Sequence, residues 1–124
     1  MKRPIRVIYV GDAKEAYLKL NKIVGAEKAK GIQDSENQRL LNSLKKKEEI
    51  LKVNPEYGDH IPRKYIKRKT IKKYGTDSLW RVEVYNYWRA IYTLTGNEIE
   101  ILTLILDVVD HNTYNKLFVH YKKK

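Results

Sequence analysis

Apolar positions recur along the chain with two different periods, and the change of period divides it into elements. Ile5 to Tyr9 is a short β-rich run that Gly11-Asp12 closes with a turn. Asp12 with Glu15 three positions on forms a capping-box pattern, and Ala13, Ala16, Tyr17, Leu20, Ile23 and Val24 then recur at helical spacing. The pattern predicts a helix that stops at Gly25. Ser35 with Gln38 repeats the capping signal, and Leu40, Leu41, Leu44 and Leu51 form the apolar stripe of a second helix ended by Asn54-Pro55. Lys45, Lys46, Lys47 and Lys52 fall on its wet side. A short connection makes the two helices an antiparallel hairpin, expected to lie across a sheet.

Beyond residue 78 the period changes to two. Over residues 79–85, Trp80, Val82 and Val84 alternate with Leu79, Arg81, Glu83 and Tyr85; over 87–94, Trp88, Ala90, Tyr92 and Leu94 alternate with Tyr87, Arg89, Ile91 and Thr93. Asn86 marks the turn between these strands, and Gly96-Asn97 marks the next. Ile99 to Val109 is apolar on both faces, as a central strand would be. Asp110 then caps a last short helix with Tyr114, Leu117 and Phe118. The expected fold is α+β: an N-terminal strand and helical hairpin packed on a small, mostly antiparallel twisted sheet, with a short C-terminal helix.

A length of 124 residues suits one domain, 1–124, and one core. Without cysteine, disulfide frameworks and thiolate zinc sites are excluded, and a cytoplasmic setting is the default. The longest apolar stretch is broken by Thr103 and Asp107, too short to span a bilayer, and the first residues carry too few apolar side chains for a signal peptide. No membrane partner is expected.

Charge sharpens the picture because it is unevenly placed. Of the net +11, residues 1–62 contribute 13 − 9 = +4, residues 63–74 contribute 7 − 0 = +7, and residues 75–124 contribute 6 − 6 = 0. The dense segment, RKYIKRKTIKKY, holds Arg63, Lys64, Lys67, Arg68, Lys69, Lys72 and Lys73 with Tyr65 and Tyr74 among them. A solvated charge run is the plain reading of such a stretch. The absence of acids within it and the interleaved tyrosines favour a polyanion, with lysines on phosphates and rings on bases. Such contacts position a nucleic acid without reading its sequence.

Arg89 sits inside an otherwise core-forming strand. If Asn86 turns the chain so that Tyr85 pairs with Arg89, then Arg81, Glu83, Tyr85 and Arg89 share one surface and Val82, Val84, Ala90 and Tyr92 share the core side. A shift of one residue would set the guanidinium among the valines, at a cost of several kcal/mol. The expectation is a polar concave sheet face close to the basic segment.

LWRVEVYNYWRAIYTL, the following apolar strand and DHNTYNKLF together resemble the RelE/ParE toxin superfamily, in particular its RelE-like mRNA interferase branch. The order of elements is similar over nearly the whole chain, and residues 79–118 carry the specific part. The resemblance implies the toxin of a toxin–antitoxin pair, an endoribonuclease that cuts mRNA in association with the ribosome, without metal or other cofactor. It implies attack by the RNA's own 2′-hydroxyl on the adjacent phosphorus, and an acidic antitoxin as partner. That chemistry needs a base, an acid and positive charge on the phosphate. On the matching positions, Arg89 would bind the scissile phosphate, His111 and Tyr114 stand where acid/base residues lie, and Arg81 stands where relatives often carry lysine. Glu83 departs from the pattern, a basic residue being frequent there; it is either a base or a cross-strand partner of an arginine.

Plainer roles stand beside these. A histidine at a helix start is more often a surface or capping residue, Tyr114 can simply pack with Leu117 and Phe118, and Arg89 can pair with Glu83 or Glu100. Trp80 and Trp88 are core candidates first, while His60 and His120 are incidental, and the histidines lack metal-ligand spacing. A ParE-like inhibitor of gyrase and a non-catalytic nucleic-acid-binding protein are the alternative functions; neither requires the His111–Tyr114 pair.

Overall fold

The computed structural model describes residues 3–119, so His120 and the terminal lysines Lys122–Lys124 lie outside the described residues. The order is β1 (Ile5–Tyr9), α1 (Gly11–Ala29), α2 (Glu36–Val53), β2 (Asp59–His60), α3 (Arg68–Tyr74), β3 (Trp80–Glu83), β4 (Arg89–Gly96), β5 (Ile101–Val109) and α4 (His111–Leu117), with a 3-10 turn at Arg63–Tyr65. The strands form one sheet in the order β1-β5-β4-β3-β2; β1 runs parallel to β5 and the other pairs are antiparallel. The α+β expectation thus holds. Among the described residues no helix is long and apolar enough to cross a membrane.

Two helix signals behave as the side chains dictate. Ser35 caps α2 by accepting from the Gln38 N–H at 3.1 Å, and Asp110 caps α4 by accepting from the Thr113 N–H at 2.8 Å. In place of the reciprocal capping bond, the Gln38 amide donates to the Ile32 carbonyl at 2.9 Å and to Glu27 at 3.3 Å. Ser35 and Asn37 also donate to the Glu27 carboxylate, so this one acid ties the hairpin loop to the end of α1 and is held below the usual carboxylate range by those bonds.

At α1 both expected ends move. Val10 is the capping residue, without a side-chain cap, and Asp12 lies inside the first turn, where its charge still complements the helix dipole. Gly25 sits mid-helix with open space around it, and the chain turns instead at Gly31, whose φ of +82° suits only glycine at low cost. β5 starts at Ile101, two residues later than the apolar run suggests, because Ile99 is exposed in the turn that the Asn97 side chain closes.

The β3–β4 hairpin pairs Glu83 with Arg89 and Val82 with Ala90, two positions from the expected Tyr85–Arg89 pairing. Because the shift is even, every side chain keeps its face. The loop is Tyr85–Tyr87, closed by Trp88 N–H to the Tyr85 carbonyl at 3.2 Å, with Asn86 at φ +57° and Tyr87 at +65°. Asparagine tolerates that region; a tyrosine there costs about 1–3 kcal/mol.

Two cores flank the sheet. On one face α1 and α2 cover Val82, Val84, Ala90, Tyr92, Ile105 and Val108. On the other, Ile61, Ile66, Leu79, Ile91, Val109, Leu117 and Phe118 close a second cluster under the basic segment and α4. The expected open polar face is therefore wrong for most of its length: Ile91, on the same side as Arg89, is fully buried. A bulge in β5 between the partners of Ile91 and Tyr92 sets Asp107 opposite Ile91 on this side.

Candidate active site

The polar residues of that second face gather at one end of its apolar cluster. β3 and β4 bring Arg81, Glu83 and Arg89 together by cross-strand and diagonal pairing, and α4, running back over the sheet from the end of β5, supplies His111 and Tyr114. α4 is fixed there by its far end: Ile66 bridges Phe118, Val119 N–H donates to the Tyr65 carbonyl at 2.7 Å, Thr70 donates to the Leu117 carbonyl, and Lys67 donates to that of Lys116 at 3.0 Å. The basic segment is thus the scaffold for the helix that carries the candidate acid/base residues.

Tyr114 is the strut of the cluster, 5% exposed and stacked on Phe118 with ring centroids 4.6 Å apart. The Arg89 guanidinium lies 4.6 Å from its ring centre and that of Arg81 5.4 Å, a cation–π arrangement worth about 0.5–2 kcal/mol per contact. Arg81 also donates to the Tyr114 hydroxyl at 2.8 Å and pairs with Asp59 at 3.6 Å. Two cations side by side repel, and Asp59 and Glu83 offset them. Packing on the arginines, rather than free display to a substrate, is the role the geometry gives this ring.

Arg89 has a side chain only 11% exposed and is held on two sides. Its Nη1 donates to the Tyr87 carbonyl and faces His111 Nδ1, both at 3.3 Å, while Nη2 stands 3.8 Å from Glu83 Oε1, beyond hydrogen-bond reach. Its Nε has no hydrogen-bond partner among the described residues. Nη1 is spent; Nη2 keeps donors for an anion, and the exposed Glu83 can swing aside at little cost. Glu100, the other acid considered for Arg89, pairs with Arg6 at 3.7 Å.

A guanidinium can only donate, so the contact with His111 requires a neutral ring with Nδ1 accepting and the proton on Nε2. Nε2 lies 3.2 Å from Asn115 Nδ2, so a proton on Nε2 requires that amide to turn over and present its oxygen instead. The imidazole is exposed and lines an open depression of about 350 Å³ with Asn86, Tyr87, Trp88, Asp110 and Asn112. Asp110 is held ionised below the usual carboxylate range by the Thr113 N–H it caps.

All five expected site residues, Arg81, Glu83, Arg89, His111 and Tyr114, therefore come together. The seven basic residues do not form one free patch. Arg63 pairs with Asp77 at 3.4 Å, Lys73 with Asp12 at 3.4 Å, and Lys67 is bound to α4, so acids distant in sequence offset part of the segment. Among the described residues Arg68, Lys69 and Lys72 are exposed without an ion pair, and Lys64 lies over the Tyr65 ring. Tyr74 is not a base platform: its hydroxyl donates to Asp107 at 2.7 Å, and burial with that bond raises its pKa well above the ordinary value. His60 belongs to β2 and stacks on Trp80 at 4.6 Å. Two neighbours went unread in the sequence. Asp59 lies in a two-residue strand too short for any periodic signal, and Tyr87 gave only the hint of its place beside Asn86. No protein-family model matches the chain, and no curated protein matches it significantly.

Proposed function

We propose that the chain is a metal-independent endoribonuclease of the RelE-like toxin kind, cutting mRNA in association with the ribosome and restrained by an acidic antitoxin. The observation that carries this reading is the 3.3 Å approach of Arg89 to His111 at the edge of an open depression, with Glu83 on the other terminal nitrogen of the same guanidinium. A phosphate seated at Arg89 then lies between a carboxylate and an imidazole. Glu83 takes the proton of the 2′-hydroxyl, the 2′-oxygen bonds to phosphorus, and the bond to the 5′-oxygen breaks as His111, released from Arg89 by the incoming phosphate and then protonated on both ring nitrogens, gives that oxygen its proton. The product is a 2′,3′-cyclic phosphate and a 5′-hydroxyl. Arg89, backed by Arg81, supplies charge where it develops on the non-bridging oxygens. The exposed Arg68, Lys69 and Lys72 fit contact with phosphates further along the strand.

Mapping message 5′ ends after mixing the protein with translating ribosomes tests the reading. Cutting should fall at least about 100-fold in Arg89→Ala and in His111→Ala. Equal cutting by the double variant removes both residues from the mechanism. The near burial of both guanidiniums favours, as a second reading, nucleic-acid binding without cleavage; intact messages together with retained, salt-sensitive RNA binding would select it.

A further inference from the structure

Tyr87 is a large aromatic side chain, 69% exposed, on a backbone that tyrosine rarely adopts, and its ring makes no apolar cluster with either core. Glycine at this position would relieve the left-handed strain, and so little buried ring offers scant packing in return. A costly conformation that presents an aromatic face to solvent is what a stacking platform needs. Its surroundings say for what. The Tyr87 carbonyl accepts from Arg89, so one residue both holds the guanidinium and displays the ring beside it. The His111 imidazole meets the ring edge-on at 6.3 Å, and the exposed amides of Asn86 and Asn112 border the same depression.

We propose that this depression is a nucleobase subsite: the base of a nucleotide whose phosphate meets Arg89 stacks on Tyr87, with the Asn86 and Asn112 amides facing its polar edge. The proposal rests on the reading of the chain as an RNA-binding enzyme and adds where and how a base is held. Stacking on an aromatic ring tolerates every base, so Tyr87 provides affinity and positioning, while two amides that can donate and accept allow discrimination among base edges.

The test is binding of a fluorescent oligoribonucleotide carrying 2′-O-methyl groups throughout, which cannot supply the attacking hydroxyl. Wild type, Tyr87→Gly and Tyr87→Trp are compared, each also with a set of the same strands made abasic at one position in turn. Thermal unfolding serves as the folding control. Tyr87→Gly should bind the intact strand at least about fivefold more weakly while unfolding no earlier than wild type. Tyr87→Trp should bind as wild type does. The deficit of the glycine variant should vanish for the strand lacking the stacked base. Wild-type and Tyr87→Gly affinities equal within about twofold overturn the subsite and leave the RNA-binding reading standing. A deficit that persists on every abasic strand also overturns it, since Tyr87 then acts through something other than a base. Failure of the wild type to bind RNA at all removes the reading and the subsite together.

Discussion

Gly58→Ala probes the support beneath Arg81. A methyl group at Gly58 would overlap the Arg81 carbonyl oxygen and come within 2.6 Å of the Tyr92 hydroxyl. Neither can yield: the first is backbone in a sheet, and the second ends a ring that is fully buried. The loop must therefore lift, breaking the Gly58 N–H bond to Tyr92 at 3.0 Å and pulling Asp59 from Arg81. Overpacking costs about 1–3 kcal/mol and the lost hydrogen bond about 1 kcal/mol, giving about 2–4 kcal/mol together. Urea unfolding followed by tryptophan emission suits the measurement, because Trp80 stacks between His60 and Tyr92 beside the affected loop. With a slope of about 2 kcal/mol per molar urea, the midpoint should fall by about 1–2 M. Tyr92→Phe removes both the hydroxyl clash and the shared bond, so the double variant should be less destabilised than the sum by about 1 kcal/mol. A Gly58→Ala midpoint within about 0.3 M of wild type, or strict additivity, refutes the reasoning.

Gly25→Ala lies in the interior of α1 with nothing near its Cβ, so it should raise stability by about 1 kcal/mol and the thermal midpoint by a few degrees, read by calorimetry. Glu27 and Asp110 have depressed folded-state pKa values, so their contribution is present above the ordinary carboxylate range and is lost as pH falls through the depressed values. Urea midpoints taken from pH 5 downward should decline, and Glu27→Gln should flatten that decline. Burial pushes the Tyr92 hydroxyl up to about 12, so stability should fall as pH rises from the ordinary tyrosine value toward it. Tyr92→Phe should lessen that alkaline loss. Arg89→Lys keeps the charge but cannot span the Tyr87 carbonyl, His111 and Glu83 at once, so cleavage should drop nearly as far as in Arg89→Ala.

Local chemistry was readable from the chain where a single side chain decides the outcome. Ser35 and Asp110 cap the helices they announce, and period-two alternation put Arg81, Glu83 and Arg89 on one face even though the pairing shifted by two. What the sequence hid depends on distant partners. Asp12 and Asp77 offset the basic segment only once the chain has folded back, and Ile91 lies in a second core because α4 and the basic segment cover it. The bulge that places Asp107 beneath Tyr74 leaves no mark in an apolar run, and a left-handed tyrosine is the last residue a turn rule would choose. Tyr114 reads as a catalytic candidate by position and is a packing strut by contact.

The chemistry of the cut ends tests the central claim most directly. RNA cleaved by the purified protein in the presence of EDTA, with its termini identified by mass spectrometry, should carry 2′,3′-cyclic phosphates and 5′-hydroxyls, and strands with a 2′-O-methyl group at the cut position should stay whole. Ends bearing 3′-hydroxyls and 5′-phosphates, or cutting that EDTA abolishes, would contradict a centre in which Glu83, Arg89 and His111 act on the RNA's own hydroxyl.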